Sequence, residues 1–132
     1  MMAEKSTCVC SRNPKLIFAC SGAADVGALA DQAARKMTRE NNGKMFCLAG
    51  IGGRVDGIMK TTEAAAAILA IDGCPLNCVK NCLEQAGFVK FSHLQLADLG
   101  MEKGKTAVSE ENIAKASAKG AEMLGSGSGN VG

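Results

Sequence analysis

The chain has no tryptophan and no tyrosine, and only four phenylalanines, two prolines and one histidine among its 132 residues. Without an aromatic platform, and with a formal net charge of +2 that no basic cluster concentrates, it lacks the footprint of a nucleic-acid binder. No apolar run approaches the ~20 residues that cross a bilayer. The opening Met1-Met-Ala-Glu-Lys-Ser lacks the apolar stretch of a secretory signal. Nucleic acid and membrane are therefore not expected partners, and a reducing cytoplasm is the expected compartment. A core so poor in aromatics must be assembled from Ala, Ile, Leu, Val and Met. A chain of this length suits one domain, burying roughly two-thirds of its unfolded surface.

What the chain does have is cysteine, seven in all. The number is odd, and the density falls below that of a small disulfide scaffold. Clustered cysteines in a reducing compartment point to metal or redox chemistry rather than structural disulfides.

The most informative stretch is Ile68 to Gly87. The apolar run Ile68 to Ile71 suits a buried strand, Asp72-Gly73 is a turn signal, Pro75 fits a first helical position, and Gly87 closes the helix. Cys74 then falls at a strand end and helix mouth, with Cys78 one turn further on nearly the same face. Unpaired N–H groups and the positive end of a helix dipole favour thiolate there, the form that binds metal or attacks. Cys82, beside Val79, Leu83 and Ala86, reads more as core packing than as a ligand or redox partner.

Elsewhere the chain alternates. Residues 1–15 read as an irregular arm, in which Cys8-Val-Cys10 is equally a metal arm or an exposed thiol pair. Leu16 to Ala19 is a first strand ending in Cys20-Ser21-Gly22, and Val26, Leu29, Ala30, Ala33, Ala34 and Met37 mark a helix stopped by Asn41-Asn42-Gly43. Lys44 to Ala49 reads as a second strand carrying Cys47 and running into a Gly50-Ile-Gly52-Gly53 loop. Arg54 to Ala67 should be mainly helical, Phe88 to Leu96 a fourth strand, and 109–124 a final helix capped at Ser109. His93 has no partner at metal-ligand spacing and reads as a packing or surface residue. Residues 125–132 form a Gly/Ser tail expected to be flexible.

Two glycine motifs are decoys. Val55 occupies the last glycine position of a dinucleotide fingerprint begun at Gly50, and Leu99 stands where a phosphate loop ending Gly104-Lys105-Thr106 needs its first glycine. Phosphatase-like Cys-x5-Arg chemistry at Cys20 would need arginine at position 26, which is Val26.

Strands alternating with helices predict a compact three-layer α/β domain over 16–124 with a mainly parallel sheet of about four strands. The flavodoxin-like order, first and third strands adjacent, is the arrangement expected. Such sheets carry their sites at the carboxyl ends of the strands. Cys20, Cys47 and Cys74 each fall near such an end, and Cys78 overhangs the same edge.

Cys20-Ser21-Gly22, Cys47-Leu48, Asp72-Gly73-Cys74-Pro75 and Cys78, occurring in this order, resemble the motifs of the DGC domain family, named for its Asp-Gly-Cys motif and regarded as zinc-binding. The resemblance spans roughly residues 8 to 115 and implies four chelating cysteines, at Cys20, Cys47, Cys74 and Cys78. It implies no established reaction. Four thiolates around zinc make a closed structural or storage site of net charge about −2, although an iron–sulfur cluster uses the same donors. Asp72 reads as shaping the turn rather than binding metal. The leading expectation is a non-enzymatic zinc-binding protein for trafficking, sensing or stability. The alternatives are a thiol-dependent redox enzyme or carrier with Cys20 as nucleophile, an iron–sulfur protein, and a partner-binding subunit with structural cysteines.

Overall fold

Successive residues of Leu16-Ile-Phe-Ala19 serve two different cores, because side chains alternate across a strand. The computed structural model of the protein describes residues 13–131; Cys8-Val-Cys10 and most of the expected arm lie outside the described residues. Strand β1 (Lys15–Ala19) sends Ile17 and Ala19 to one face and Leu16 and Phe18 to the other. Strand β3 (Ala67–Asp72) does the same, with Leu69 and Ile71 opposite Ile68 and Ala70. Burial on both faces is what makes these strands unbroken apolar runs.

Strands β2 (Lys44–Met45) and β4 (Ser92–Gln95) complete a four-stranded, all-parallel sheet in the order β2-β1-β3-β4. This is the expected flavodoxin-like order. One face is covered by helices α1 (Asp25–Arg39) and α5 (Glu110–Val131), through Val26, Leu29, Met37, Ile113 and Leu124. The other lies under α2 (Leu48–Gly52), α3 (Asp56–Glu63) and α4 (Cys78–Gln85), through Ile51, Ile58, Val79 and Leu83. The three layers of an α/β domain result.

Several boundaries move. The second strand stops at Met45, where the Met45 N–H turns to the Thr38 hydroxyl at 2.8 Å and only Phe46 N to Ile17 O, also 2.8 Å, continues the ladder. The expected glycine loop is instead helix α2, and Gly50 lets Ile58 approach, since a Cβ there would meet Ile58 at 2.7 Å. Helix α3 is shorter than the expected 54–67: Arg54, at a left-handed φ of 58, lies before its start, and the chain leaves it at Ala64 to enter β3 at Ala67. The fourth strand is confined to Ser92–Gln95; Phe88 folds back through its N–H to Leu83 O at 2.9 Å, and a 3-10 turn occupies Leu96–Leu99. Gly87 ends α4 at φ 96, and the Ser109 hydroxyl accepts the Asn112 N–H at 3.2 Å as an N-cap, both as expected. Helix α5 runs on to Val131, through the segment expected to be a flexible tail. No proline interrupts it there.

The loop Gly100 to Thr106 does not present its amides to a ligand. Gly104 and Thr106 donate their N–H groups to the two carboxylate oxygens of Asp25, at 2.8 and 3.1 Å, tying this loop to the start of α1. Those bonds, first from Gly104 and then from Thr106, hold the Asp25 carboxyl below its usual value near 3.8. A depressed folded-state pKa contributes stability above the unfolded value that is lost as pH falls through the folded one. Denaturant unfolding should therefore show stability falling more steeply below about pH 4 in the parent than in Asp25→Asn. Equal slopes would leave the Asp25 bonds without an energetic role.

Candidate functional site

Asp72 is the last residue of β3 and only 1% exposed. Its two oxygens accept the N–H groups of Val79 and Lys80, at 2.8 and 3.1 Å, the second and third residues of α4. Its Oδ2 also meets Nε2 of His93 at 2.8 Å. A carboxylate at a sheet edge thus does the work of an N-cap across a loop, satisfying donors that a helix start otherwise leaves unpaired. This capping by Asp72 displaces the helix start from the position expected at Pro75. Asn77, at a left-handed φ of 55, turns the chain into Cys78, its side chain is hydrogen-bonded to Gln95, and Gln95 also reaches Cys74 O at 3.4 Å.

Gly73 is required by packing. A Cβ there would stand 2.5 Å from the carbonyl oxygen of Val26, at the start of α1. Gly27 has the same relation to the Cys20 loop, with a Cβ 2.5 Å from Gly22 O. The two thiol-bearing loops are thereby both pressed against the first turn of α1. Cys20 continues the parallel ladder through its N–H to Ile71 O at 3.2 Å, so it stands beside the end of β3 from which Cys74 follows.

Cys47 is the residue before α2 and is exposed; Cys78 is the first residue of α4 and exposed; Cys20, Cys74 and Cys82 are half-buried. All five are free thiols. Cys20, Cys47, Cys78 and Cys82 line one cleft of about 1030 Å³ that crosses the carboxyl ends of β1 and β2, from α1 to α4. Cys74 does not line it, but it is near enough, like Cys20, to contribute electrostatically to the raised pKa of Cys78.

Cys82 is both packed and open to the cleft. It lies against the core beneath α4 and its S–H points to Leu48 O at 3.9 Å. Arg54 holds that wall together: its guanidinium donates to Ile51 O at 2.7 Å, Gly52 O at 3.3 Å and Gln85 O at 3.1 Å, joining the ends of α2 and α4. Nothing local marks Arg54 or His93 as partners, since each reaches a residue far along the chain. Asp72 was the available signal, as a carboxylate ending an apolar strand just before a helix.

The expectation that the helix mouth favours thiolate fails at Cys78. Burial, then the charges of Asp72, Cys74 and Cys20, push its thiol up from the ordinary value, against an opposing effect of Lys103. The Asp72 carboxylate that accepts the Val79 and Lys80 amides is the second of these causes, after burial. Burial also pushes up the Cys82 thiol, which Arg54 only partly offsets.

Among the described residues no three Cys, His, Asp or Glu side chains stand as a ready-made ion site. The donors suit a thiophilic metal in kind, soft thiols on separate loops and helices at one edge, but they are not drawn into a closed set. No helix among the described residues is long and apolar enough to cross a membrane.

Sheet order and cleft define a doubly wound α/β protein with thiols at the carboxyl edge. The chain belongs to the DGC domain family, whose model matches residues 16–119. It is similar to the anaerobic and virulence modulator AnvM of Pseudomonas aeruginosa, 41% identical over 88 residues, or 67% of each chain. No solved structure matches it.

Asp72→Ala should lower the unfolding free energy by about 2 to 4 kcal/mol, because it orphans two helix amides and an imidazole at a buried position. Gly73→Ala should lower it by about 1 to 3 kcal/mol through overpacking against Val26. Equilibrium denaturation in urea measures both, and an unchanged midpoint in either variant contradicts its assigned role.

Proposed function

We propose that this protein binds zinc through thiolates of Cys20, Cys47, Cys74 and Cys78, in a regulatory rather than catalytic capacity, within the cytoplasm. The observation that carries the reading is the meeting of Cys20, Cys47 and Cys78, from three separate parts of the fold, at one cleft, with Cys74 close enough to act on Cys78 electrostatically. Bound zinc would supply a fixed positive centre that stabilises the deprotonated thiols; the chain supplies the loops that hold them. Asp72 orients the Cys74–Asn77 loop without being a ligand. Gly73 and Gly27 keep the two loops against α1.

The similar Pseudomonas protein is named a modulator in anaerobic and virulence contexts. Carried to this chain, that name favours a role in which metal or thiol state is the signal. The second reading, thiol redox chemistry begun by Cys20, draws support from the free state of all five described cysteines. An iron–sulfur cluster on the same donors is its coloured counterpart.

Protein purified under reducing conditions without added metal should carry about one zinc per chain and show no visible absorbance. Cys74→Ser should lose most of that zinc and melt roughly 5 °C or more below the parent, with a smaller change in Cys82→Ser. Elemental analysis and thermal unfolding check both. Brown protein would indicate an iron–sulfur cluster. Metal-free protein that forms a specific Cys20 disulfide under mild oxidant would favour the redox reading, and equal zinc in parent and Cys74→Ser removes Cys74 as an essential ligand.

A further inference from the structure

The cleft is at the upper end of the size of small-molecule sites, roughly 300 to 1,000 Å³, and its walls differ in chemistry. Along α1 it is lined by Arg35 and Arg39, one turn apart, against a single carboxylate, Asp31. Asp31 is already engaged, by Arg35 Nε at 2.7 Å and by the Ser21 hydroxyl at 2.7 Å. Outside the lining, Lys44 places a cation 5.9 Å from the ring centre of Phe46. The adjoining surface is apolar and soft, with Met45, Phe46 and Leu48. Cys47 sits within that same segment with an exposed thiol. The bond from Met45 N–H to the Thr38 hydroxyl fixes this segment against the turn of α1 that carries the arginines.

We propose that the cleft binds small organic disulfides bearing carboxylates and that Cys47 exchanges with them. With Arg35 held to Asp31, the Arg39 guanidinium takes the ligand's carboxylate, and the body of the ligand lies on Met45 and Phe46. The Cys47 thiol gives its proton to solvent and its sulfur attacks one sulfur of the ligand. A Cys47–ligand disulfide forms as the ligand's own S–S bond breaks. The departing sulfur leaves with the electron pair and takes a proton from water. The ligand disulfide is itself the oxidant, so one half of it is reduced to thiol while Cys47 is oxidised to the mixed disulfide. The reaction belongs to the metal-free chain, because Cys47 is also one of the thiols proposed above to hold zinc; it stands on the cleft and its arginines whether or not zinc binds.

The test uses the reduced full chain with a chelator present and two probes, dithiobis(nitrobenzoate), which is anionic, and cystamine, which is cationic. Peptide mass spectrometry maps the first adduct and stopped-flow absorbance or quenched mass spectrometry gives the rates. Cys47 should be the first residue modified, and the anionic probe should react faster than the cationic one. Arg39→Gln should reduce the anionic-to-cationic rate ratio by about fivefold, as expected for loss of one charge near the reacting sulfur. Lys90→Gln, before β4 at the opposite edge of the sheet, is the charge-matched control and should leave the ratio unchanged. First modification at any other cysteine overturns the proposal, as does a ratio that Arg39→Gln leaves unaltered or that both variants reduce equally.

Discussion

The carboxylate of Asp72 is the constraint to which the thiol edge is referred. A buried anion is costly unless its oxygens are hydrogen-bonded, and here the partners are two amides of α4 and the imidazole of His93. Those bonds connect the end of β3 to the start of α4 and to β4 at one point. The Cys74–Asn77 loop must then close over a fixed span, with Asn77 in a left-handed conformation and Gln95 bonded to both ends. Cys78 emerges at the cleft because α4 begins where Asp72 makes it begin. Burial first, and the charge of Asp72 next, push the Cys78 thiol above its ordinary value.

The glycine of the Asp-Gly-Cys turn serves this arrangement differently. It lets the loop lie directly on the backbone of Val26, and Gly27 admits the Cys20 loop to the adjoining turn. Helix α1 is therefore the common floor of both loops. Asp25, at its first residue, adds the Gly100–Thr106 loop to the same end of the molecule.

The central strands and their order were legible because their signals are local. Leu16 to Ala19 and Ile68 to Ile71 are unbroken apolar runs, and strand–helix alternation leads to parallel pairing with β1 beside β3. Asn41, Gly87 and Ser109 also mark ends through their own backbone or side-chain preferences. Helix α2 was not legible, because Gly50 and Gly52 argue locally for a loop, while contact with Ile58 and the Arg54 bonds decide for a helix. Pro75 misled for a similar reason: the helix start is set by a carboxylate in the preceding strand. The His93 bond to Asp72 and the Arg54 bond to Gln85 were invisible because those partners lie 21 and 31 residues away. For the cysteines, the common edge was readable from strand ends. The position of Cys82 in the cleft wall was not, since its apolar sequence neighbours describe only the side facing the core.

Membership of the DGC domain family and the geometry of the edge bear on one issue, whether these thiols act together. Their separate origins, just after β1, at the β2–α2 junction, and in the β3–α4 loop and first residue of α4, mean that a shared ligand would fasten three parts of the fold at once. Sulfur K-edge and zinc K-edge X-ray absorption on the zinc-loaded chain address this most directly, because the zinc scattering shell counts sulfur neighbours. The account predicts a shell of about four sulfurs near 2.3 Å, reduced in Cys20→Ser and in Cys74→Ser alike. A shell of nitrogen or oxygen atoms, or a sulfur count untouched by both substitutions, would contradict it.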